Sequence, residues 1–363
     1  MSWQSEVLSR LEPKLQAVQA IDGFHWSILV QSADTGSCGT ATTKFEAATK
    51  ALAELVERIS INDSSRFRLE YATAEELDEP DWFQWPSPNG RLDSSLGNAR
   101  MYWIEGCELE TGRQRFLPAH LVFIRWNRSE PWEFRPPISV GAAVHSDKQL
   151  ALENARDELL EHHTKMLYFF AGRLGEEFKV SGDHHLHDSY EALQRLNVVP
   201  YFYRMSIPRG IDVYVSYLES SDIPRLTVGS GTTPEKALAE ALQLRLGLES
   251  YAKHHEGDDK SVSHDQITDG TTRGLYWGCS EQRTPRERMQ PGILSEVELG
   301  PSGPYFMVDL TEGLASEVGL HAVKVVAPSS LMVFFAEQEY PGWLTLARTY
   351  LRECAYTFPH PFH

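Results

Sequence analysis

Apolar and polar positions alternate along the chain with two periods, and the change of period marks its elements. Residues 2–20 carry apolar positions at helical spacing, with Pro13 as a break or second start, and predict an N-terminal helical segment within residues 1–22. From residue 23 to 363 the pattern predicts one larger domain. Phe24–Val30 reads as a strand, Gly36–Thr40 as a tight turn, and Thr43 with Glu46 three residues later as a capping box that opens a helix. Met101–Ile104 and Phe116–Ile124 read as strands joined through Thr111-Gly112. Gly141-Ala142-Ala143 precedes a second helix start, with Ser146 as N-cap and Gln149 three residues on, and this helix runs to about Phe170. Val213–Leu218 and Arg225–Val228 predict strands; Gly229–Thr233 follows as a small-residue turn, and Pro234 suits the first position of a helix.

Strand, small-residue turn, capped helix: this unit occurs three times. Ala322–Val326 predicts a buried strand and residues 341–354 a last helix. Residues 78–98 are rich in Pro and Gly and read as a loop, whose Trp82, Phe83 and Trp85 either plug the core or face a peptide. Residues 253–273 are polar and predict a mobile loop. The end, Pro359-His360-Pro361-Phe362-His363, predicts an extended segment.

The three capped helices share an acidic pattern. Lys50-Ala51-Leu52-Ala53-Glu54-Leu55-Val56-Glu57-Arg58 repeats its first five residues in Lys236-Ala237-Leu238-Ala239-Glu240, which continues Ala241-Leu242-Gln243-Leu244-Arg245. Ala155-Arg156-Asp157-Glu158-Leu159-Leu160-Glu161 keeps the small residue and both acids. In each copy Ala precedes Glu by three, and Glu or Gln follows by three, so two oxygen-bearing side chains share a helix face. Three such faces brought together would put Glu54, Glu57, Glu158, Glu161 and Glu240 in one self-repelling cluster that divalent cations neutralise. Hard cations such as Mg²⁺ take carboxylate oxygens and bridge to phosphates. Arg58 and Arg245 suit phosphate oxygens through bidentate bonds, and Gln243 a base, a sugar or a metal-bound water. Nucleotide triphosphate binding without a Walker loop fits this set, since no GxxxxGK[ST] occurs. A solvated helix face is the ordinary reading of any single ExxE pair; the threefold repetition argues against it here.

Composition narrows the classes further. The 363 residues hold 34 basic and 51 acidic side chains, a formal charge of −17, which excludes a basic nucleic-acid-binding surface. Four dispersed cysteines form no CxxC pair and suggest neither a disulfide framework nor a structural zinc. No signal-like start and no membrane-spanning apolar run occur, so a soluble, reduced, cytoplasmic protein is expected. His162-His163, the run Asp183–Asp188 and His254-His255 offer transition-metal ligands as a rival site, without an HExxH motif; no GxSxG motif occurs either.

In their order, these motifs resemble the YcaO family of ATP-dependent enzymes that modify peptide backbones. Glu54-Leu-Val-Glu57-Arg58 is similar to its ExxER, Glu158-Leu-Leu-Glu161 to its second acidic pair, and Glu240-Ala-Leu-Gln243-Leu-Arg245 to its ExxQ element. Trp103-Ile-Glu-Gly106, Gly112 and Leu117-Pro118-Ala119 resemble the strand pair between the first two acidic helices, and Pro359-His-Pro361-Phe the proline-rich end of azoline-forming members. The resemblance implies an α+β, YcaO-like fold with mixed β-sheets and acidic helices around ATP and Mg²⁺. It implies that Glu54, Glu57, Glu158, Glu161 and Glu240 hold Mg²⁺, and that Arg58, Gln243 and Arg245 contact nucleotide. It further implies that Pro359, Pro361 and the carboxylate of His363 approach the reacting site. The activity implied is cyclodehydration of a ribosomal precursor peptide, with a separate leader-binding partner and no nucleic-acid or membrane partner. Self-association as a homodimer is compatible with this, though the sequence carries no specific signal for it. Thioamide or amidine formation on the same fold, and a non-catalytic scaffold, remain the alternatives. Ala51 stands where many members have Ser, His162 follows Glu161 where Arg is expected, and His363 replaces a terminal Pro.

Overall fold

The computed structural model describes residues 2–362 except 22–24, 34, 80–98, 126–138, 209, 223, 255–261, 264–265, 268–269, 280–283, 295–303, 332–343, 345, 352–353 and 355–358. Helix α1 (Trp3–Leu11) opens the chain and stops where Glu12 turns into the left-handed region, its N–H closing on Leu8 O. Pro13 cannot continue the hydrogen-bond ladder. Lys14–Ile21 is therefore not the helical continuation that the apolar spacing of residues 2–20 predicts. It is strand β1, paired antiparallel with β2 (His25–Gln31) from Lys14↔Gln31 to Ile21↔His25, and β2 pairs with β3 (Gly36–Ala41).

Two larger sheets follow. A six-stranded sheet runs β4 (Leu69–Ala72), β5 (Met101–Glu108), β13 (Phe306–Asp309), β14 (His321–Val326), β7 (Ala142–His145), with β6 (Gln114–Pro118) paired to β5. A five-stranded sheet runs β11 (Leu226–Gly231), β10 (Val213–Ser220), β9 (Val198–Met205), β8 (Arg173–Phe178), β12 (Gln290–Pro291). The expected strand over residues 116–124 ends at Pro118, where Ala119–Leu121 tightens into a 3₁₀ turn. The α+β architecture with mixed sheets holds: β12 and β8 are parallel, the other named strand pairs antiparallel.

Three long helices carry the acidic pairs. Helix α2 (Lys44–Asn62) is capped by Thr43, whose hydroxyl accepts the Glu46 N–H at 3.2 Å, one of the two bonds of the expected capping box. Helix α3 (Lys148–Phe170) is capped by Asp147 rather than Ser146, because the carboxylate accepts the N–H groups of both Gln149 and Leu150. Helix α4 (His187–Arg195) packs on β9, and helix α5 (Pro234–His254) starts at the expected proline. Helix α2 packs on β2, β3 and β7, α3 on β14, β7 and β8, and α5 on β11, β10 and β3, so sheets and acidic helices alternate.

The small-residue segments before these helices are not free turns. Gly36–Thr40 lies in β3, Ala142–Ala143 in β7, and Gly229–Gly231 in β11. Their smallness serves packing. A Cβ on Gly39 would lie 2.2 Å from Ala47 O and 2.5 Å from Ala51 N; one on Gly229 would lie 2.2 Å from Ala241 N and 2.4 Å from Ala237 O. The backbones of α2 and α5 rest directly on their strands, which is why Ala51 and Ala237 stand one turn before the first acid there.

Two buried apolar clusters flank this arrangement. One joins α2 to the six-stranded sheet through Leu52, Leu55, Trp103, Phe306 and Val308. The other joins α3 to the five-stranded sheet and the chain end through Leu159, Phe169, Val215, Tyr217, Trp277 and Phe362. Helix α6 (Gly270–Cys279) occupies the end of the segment expected to be a mobile loop over 253–273; its Arg273 and Trp277 are buried, which requires order there. Residues 255–261 of that segment and the aromatic residues Trp82, Phe83 and Trp85 lie outside the described residues, as do 341–343, 345 and 352–353 of the helix expected over 341–354; within that span Leu344, Leu346 and Ala347 are helical and Arg348–Tyr350 form a turn.

Candidate active site

Each acidic helix fixes its first acid on a main-chain amide of the strand or turn before it. The N–H of Cys38 donates to Glu54 Oε2 at 3.1 Å, that of Gly141 to Glu158 Oε2 at 3.0 Å, and that of Ser230 to Glu240 Oε2. Gly141 can offer its amide because its φ of 83° turns the chain in the left-handed region, with no room for a side chain against Val325 O. The helices thus aim their carboxylates inward.

The five predicted carboxylates form one cluster of neighbouring charges, Glu57 next to Glu54 and Glu158, and Glu161 next to Glu158 and Glu240. Burial and the neighbouring charges of Glu158 and Glu54 hold the Glu57 carboxyl well above the usual range. Burial, with Glu161 opposing, pushes Glu158 up to about 8 even though Lys324 and Lys165 favour its charge. Burial and Glu161 push Glu240 up to about 7. Desolvation and like charge together make ionisation costly, the signature of carboxylates that lack sufficient counter-charge.

Two lysines sit inside this cluster, and neither was singled out from the sequence. Lys324 on β14 is buried; its Nζ donates to Val140 O at 2.6 Å and faces Glu158 and Glu57, while burial lowers its own pKa to about 8. Lys165 on α3 is 1% exposed and donates to Ser230 Oγ at 2.8 Å. The Ser230 hydroxyl in turn donates to Glu161 Oε1 at 2.6 Å and lies 3.2 Å from Glu240 Oε2. The available signal was a single charge inside an apolar run: Thr164-Lys165-Met166-Leu167 and Ala322-Val323-Lys324-Val325.

The predicted cations divide. Arg58 pairs with Glu54 at 2.6 Å, at the rim of the cluster. Arg245 turns elsewhere: its Nη1 donates to Pro224 O at 3.1 Å and its Nε pairs with Glu249 at 2.9 Å. Gln243, one turn beyond Glu240, is half-buried. His162, in the place expected for Arg, is buried beside Lys165 and Lys324, and burial with those two charges holds it neutral. Its Nε2 lies 3.3 Å from Lys165 Nζ, the ammonium that stands one turn after Glu161 and supplies positive charge in that position.

The chain end reaches this cluster. Pro359, His360, Pro361 and Phe362 are buried; His363 lies outside the described residues. Arg273 Nη1 and Trp277 Nε1 both donate to His360 O, at 3.2 and 3.3 Å, and the Phe362 ring faces Lys165 Nζ at 5.6 Å.

The rival histidine site is different in kind. Ligand atoms of His184, His185 and Glu235 lie within 4.8 Å of one another. The two imidazoles are stacked at 4.3 Å with an interplanar angle of 21°, so their in-plane lone pairs do not converge on one ion. His184 Nδ1 already accepts the Leu186 N–H, and His185 pairs with Glu235.

The donor set of the acidic cluster fits Mg²⁺: carboxylate oxygens from three helices, no thiolate, and ionisation made costly by mutual repulsion that a divalent cation relieves. Fold and site together define a protein whose three acidic helices bring buried carboxylates next to one another between mixed sheets. The family model described as "YcaO cyclodehydratase, ATP-ad Mg2+-binding" matches residues 38–331, and the chain belongs to the YcaO family. ATP and Mg²⁺, the cofactors expected from the sequence, are those of that family. No curated protein matches the sequence.

Solved structures share the fold. A "Heterocyclase in complex with substrate and Cofactor" aligns with a TM-score of 0.71 at 15% identity over 92% of this chain and 53% of that one, so this chain spans about half the length of that protein. YcaO from Methanopyrus kandleri bound with AMPPCP and Mg²⁺ aligns at 0.61, with 16% identity over 90% and 88% of the two chains. A chain of the E. coli Microcin synthetase McbBCD complex aligns at 0.59, with 14% identity over 88% of each. No helix among the described residues is long and apolar enough to cross a membrane.

Proposed function

We propose that the protein is an ATP-dependent cyclodehydratase that forms thiazoline or oxazoline rings on a ribosomally made precursor peptide. The observation that carries this reading is the convergence of three acidic helices on one cluster beside the buried, proline-rich chain end. Glu54, Glu57, Glu158, Glu161 and Glu240 would hold Mg²⁺, which neutralises phosphate charge when bound. Arg58 and Gln243 would contact nucleotide; Arg245 would join them only by exchanging Glu249 for phosphate.

In this reaction a Cys thiol or a Ser or Thr hydroxyl of the peptide adds to the carbonyl carbon of the preceding residue. The carbonyl oxygen accepts the γ-phosphoryl group, and ADP leaves. The oxygen then departs as phosphate, the nucleophile's proton and the backbone N–H proton are lost, and a C=N bond closes the ring. Positioning and charge neutralisation carry most of such a step. The chain's own part is to orient carboxylates through Cys38, Gly141 and Ser230 amides and to close the site with its terminal segment. Pro359, Pro361 and the His363 carboxylate would lie beside the reacting peptide. A separate leader-binding protein would present the substrate, a role consistent with the peptide-modifying assemblies that share this fold.

The test is incubation with ATP, Mg²⁺ and candidate precursor peptides, with and without candidate leader-binding proteins, read by intact-mass spectrometry. One water lost per ring is expected. Glu54→Gln and Glu240→Gln should each abolish that loss while leaving the circular-dichroism spectrum unchanged; normal turnover in both variants refutes the site. ATP binding without any mass change in the peptide favours the scaffold alternative.

A further inference from the structure

We infer that Lys165 is a positioning residue through which seating of the chain end sets the geometry of Glu161 and Glu240. The inference rests on the proposed use of those carboxylates for Mg²⁺ and goes beyond it in naming what couples them to the tail.

One buried ammonium faces both parts. On one side Lys165 Nζ donates to Ser230 Oγ at 2.8 Å, and that hydroxyl bonds Glu161 at 2.6 Å while the Ser230 amide holds Glu240. On the other side the Phe362 ring lies 5.6 Å from Nζ. A desolvated cation is costly unless each neighbour contributes. The ring face contributes attraction and keeps water out. Removing it re-solvates the ammonium from the tail side and loosens its hold on the serine hydroxyl. The tail itself is clamped two residues earlier by Arg273 and Trp277 at His360 O, so Phe362 is presented at a defined place. His162 Nε2, at 3.3 Å, accepts a further hydrogen bond from the ammonium. By this route Phe362 acts on two carboxylates through the ammonium.

The experiment compares the full chain with Lys165→Met, Lys165→Arg, Phe362→Ala and the Met–Ala double variant. Two readouts need no substrate: deuterium uptake of the terminal peptide in metal-free protein, and the affinity for Mg²⁺ alone. Lys165→Met should raise tail exchange, and Phe362→Ala should weaken Mg²⁺ binding, each by about tenfold, the size of one desolvated cation contact. The double variant should be no weaker for Mg²⁺ than the worse single variant, and Lys165→Arg should recover much of the loss. Multiplicative losses, or tail protection unchanged by Lys165→Met, overturn the inference. Should Phe362→Ala fail to fold, Phe362→Leu keeps the apolar bulk and removes the ring face; full Mg²⁺ affinity in that variant also overturns it. Failure of the cyclodehydratase reading would appear separately, as no ATP-dependent mass change with the wild-type chain.

Discussion

Mg²⁺ binding at the acidic cluster is expected to release protons at neutral pH, and the number follows from the carboxylates themselves. Glu158, pushed up to about 8, retains about 0.9 of a proton at pH 7, and Glu240, pushed up to about 7, about 0.5. A divalent cation that coordinates both displaces about 1.4 protons from this pair. Glu57, also held above its usual range, and Lys324, lowered to about 8, add to the release in the same sense. Affinity for Mg²⁺ should therefore climb with pH, by at least about 1.4 logarithmic units per pH unit near pH 7, or about 2 kcal/mol. It should level off above about pH 9, where those carboxylates are already ionised.

Stability follows the opposite sign in the metal-free protein. These carboxylates have folded pKa values raised above the unfolded ones, so the stability they lend below about pH 4.5 is lost as pH rises towards 7 and 8. Added Mg²⁺ should erase that loss. Titration calorimetry at pH 7 in Pipes and in Tris, whose ionisation enthalpies differ widely, gives the proton count from the slope of observed heat against buffer enthalpy. A slope near zero, or an affinity independent of pH between 6 and 8, would refute the charge-crowding account of the site.

Three further outcomes test its surroundings. Gly229→Ala should destabilise the protein by about 1–3 kcal/mol or more, because its Cβ meets helix backbone that cannot move aside, and an unchanged urea midpoint would contradict that packing. Lys324→Met should raise the pKa of both Glu57 and Glu158, moving the pH dependence of Mg²⁺ affinity to higher pH; no movement would mean that Lys324 is not their counter-charge. Trp277→Phe removes one of the two donors at His360 O and should cost the tail about 1 kcal/mol of anchoring, seen as roughly fivefold faster exchange of the terminal peptide.

The acidic site was legible because its signal is local. Glu54 and Glu57, or Glu158 and Glu161, share a face by helical geometry alone, and Thr43 and Pro234 mark helix starts through their own chemistry. What sequence periodicity misread depended on what lies opposite. Leu15 and Val18 fit a helix spacing, yet their strand is an edge with Leu15 and Ala17 exposed, so the alternation expected of a half-buried strand is missing. The glycines at 39 and 229 look like turn residues until α2 and α5 are laid across them. Lys165 and Lys324 were hidden by their neighbours, since an apolar run reads as core and a single lysine in it reads as an interruption. Only the fold shows that Lys324 faces Glu57 and Glu158, and that Lys165, besides Glu161 on its own helix, faces Glu240 of α5.

The amide anchors divide the acids into two groups with different freedoms. Glu54, Glu158 and Glu240 are tied to peptide N–H groups, whereas Glu161 is held by side chains of Ser230 and Lys165. A peptide N–H persists through every substitution at its own position except proline. Side-chain identity at Cys38 can therefore drift over evolutionary time while the anchor is kept, whereas Gly141 is fixed by its left-handed φ and Ser230 by the hydroxyl that holds Glu161. The first three acids are thus inherited with the backbone, while the side-chain-held acid is exposed to replacement and offers the place where members of one fold can diverge in how they grip a ligand.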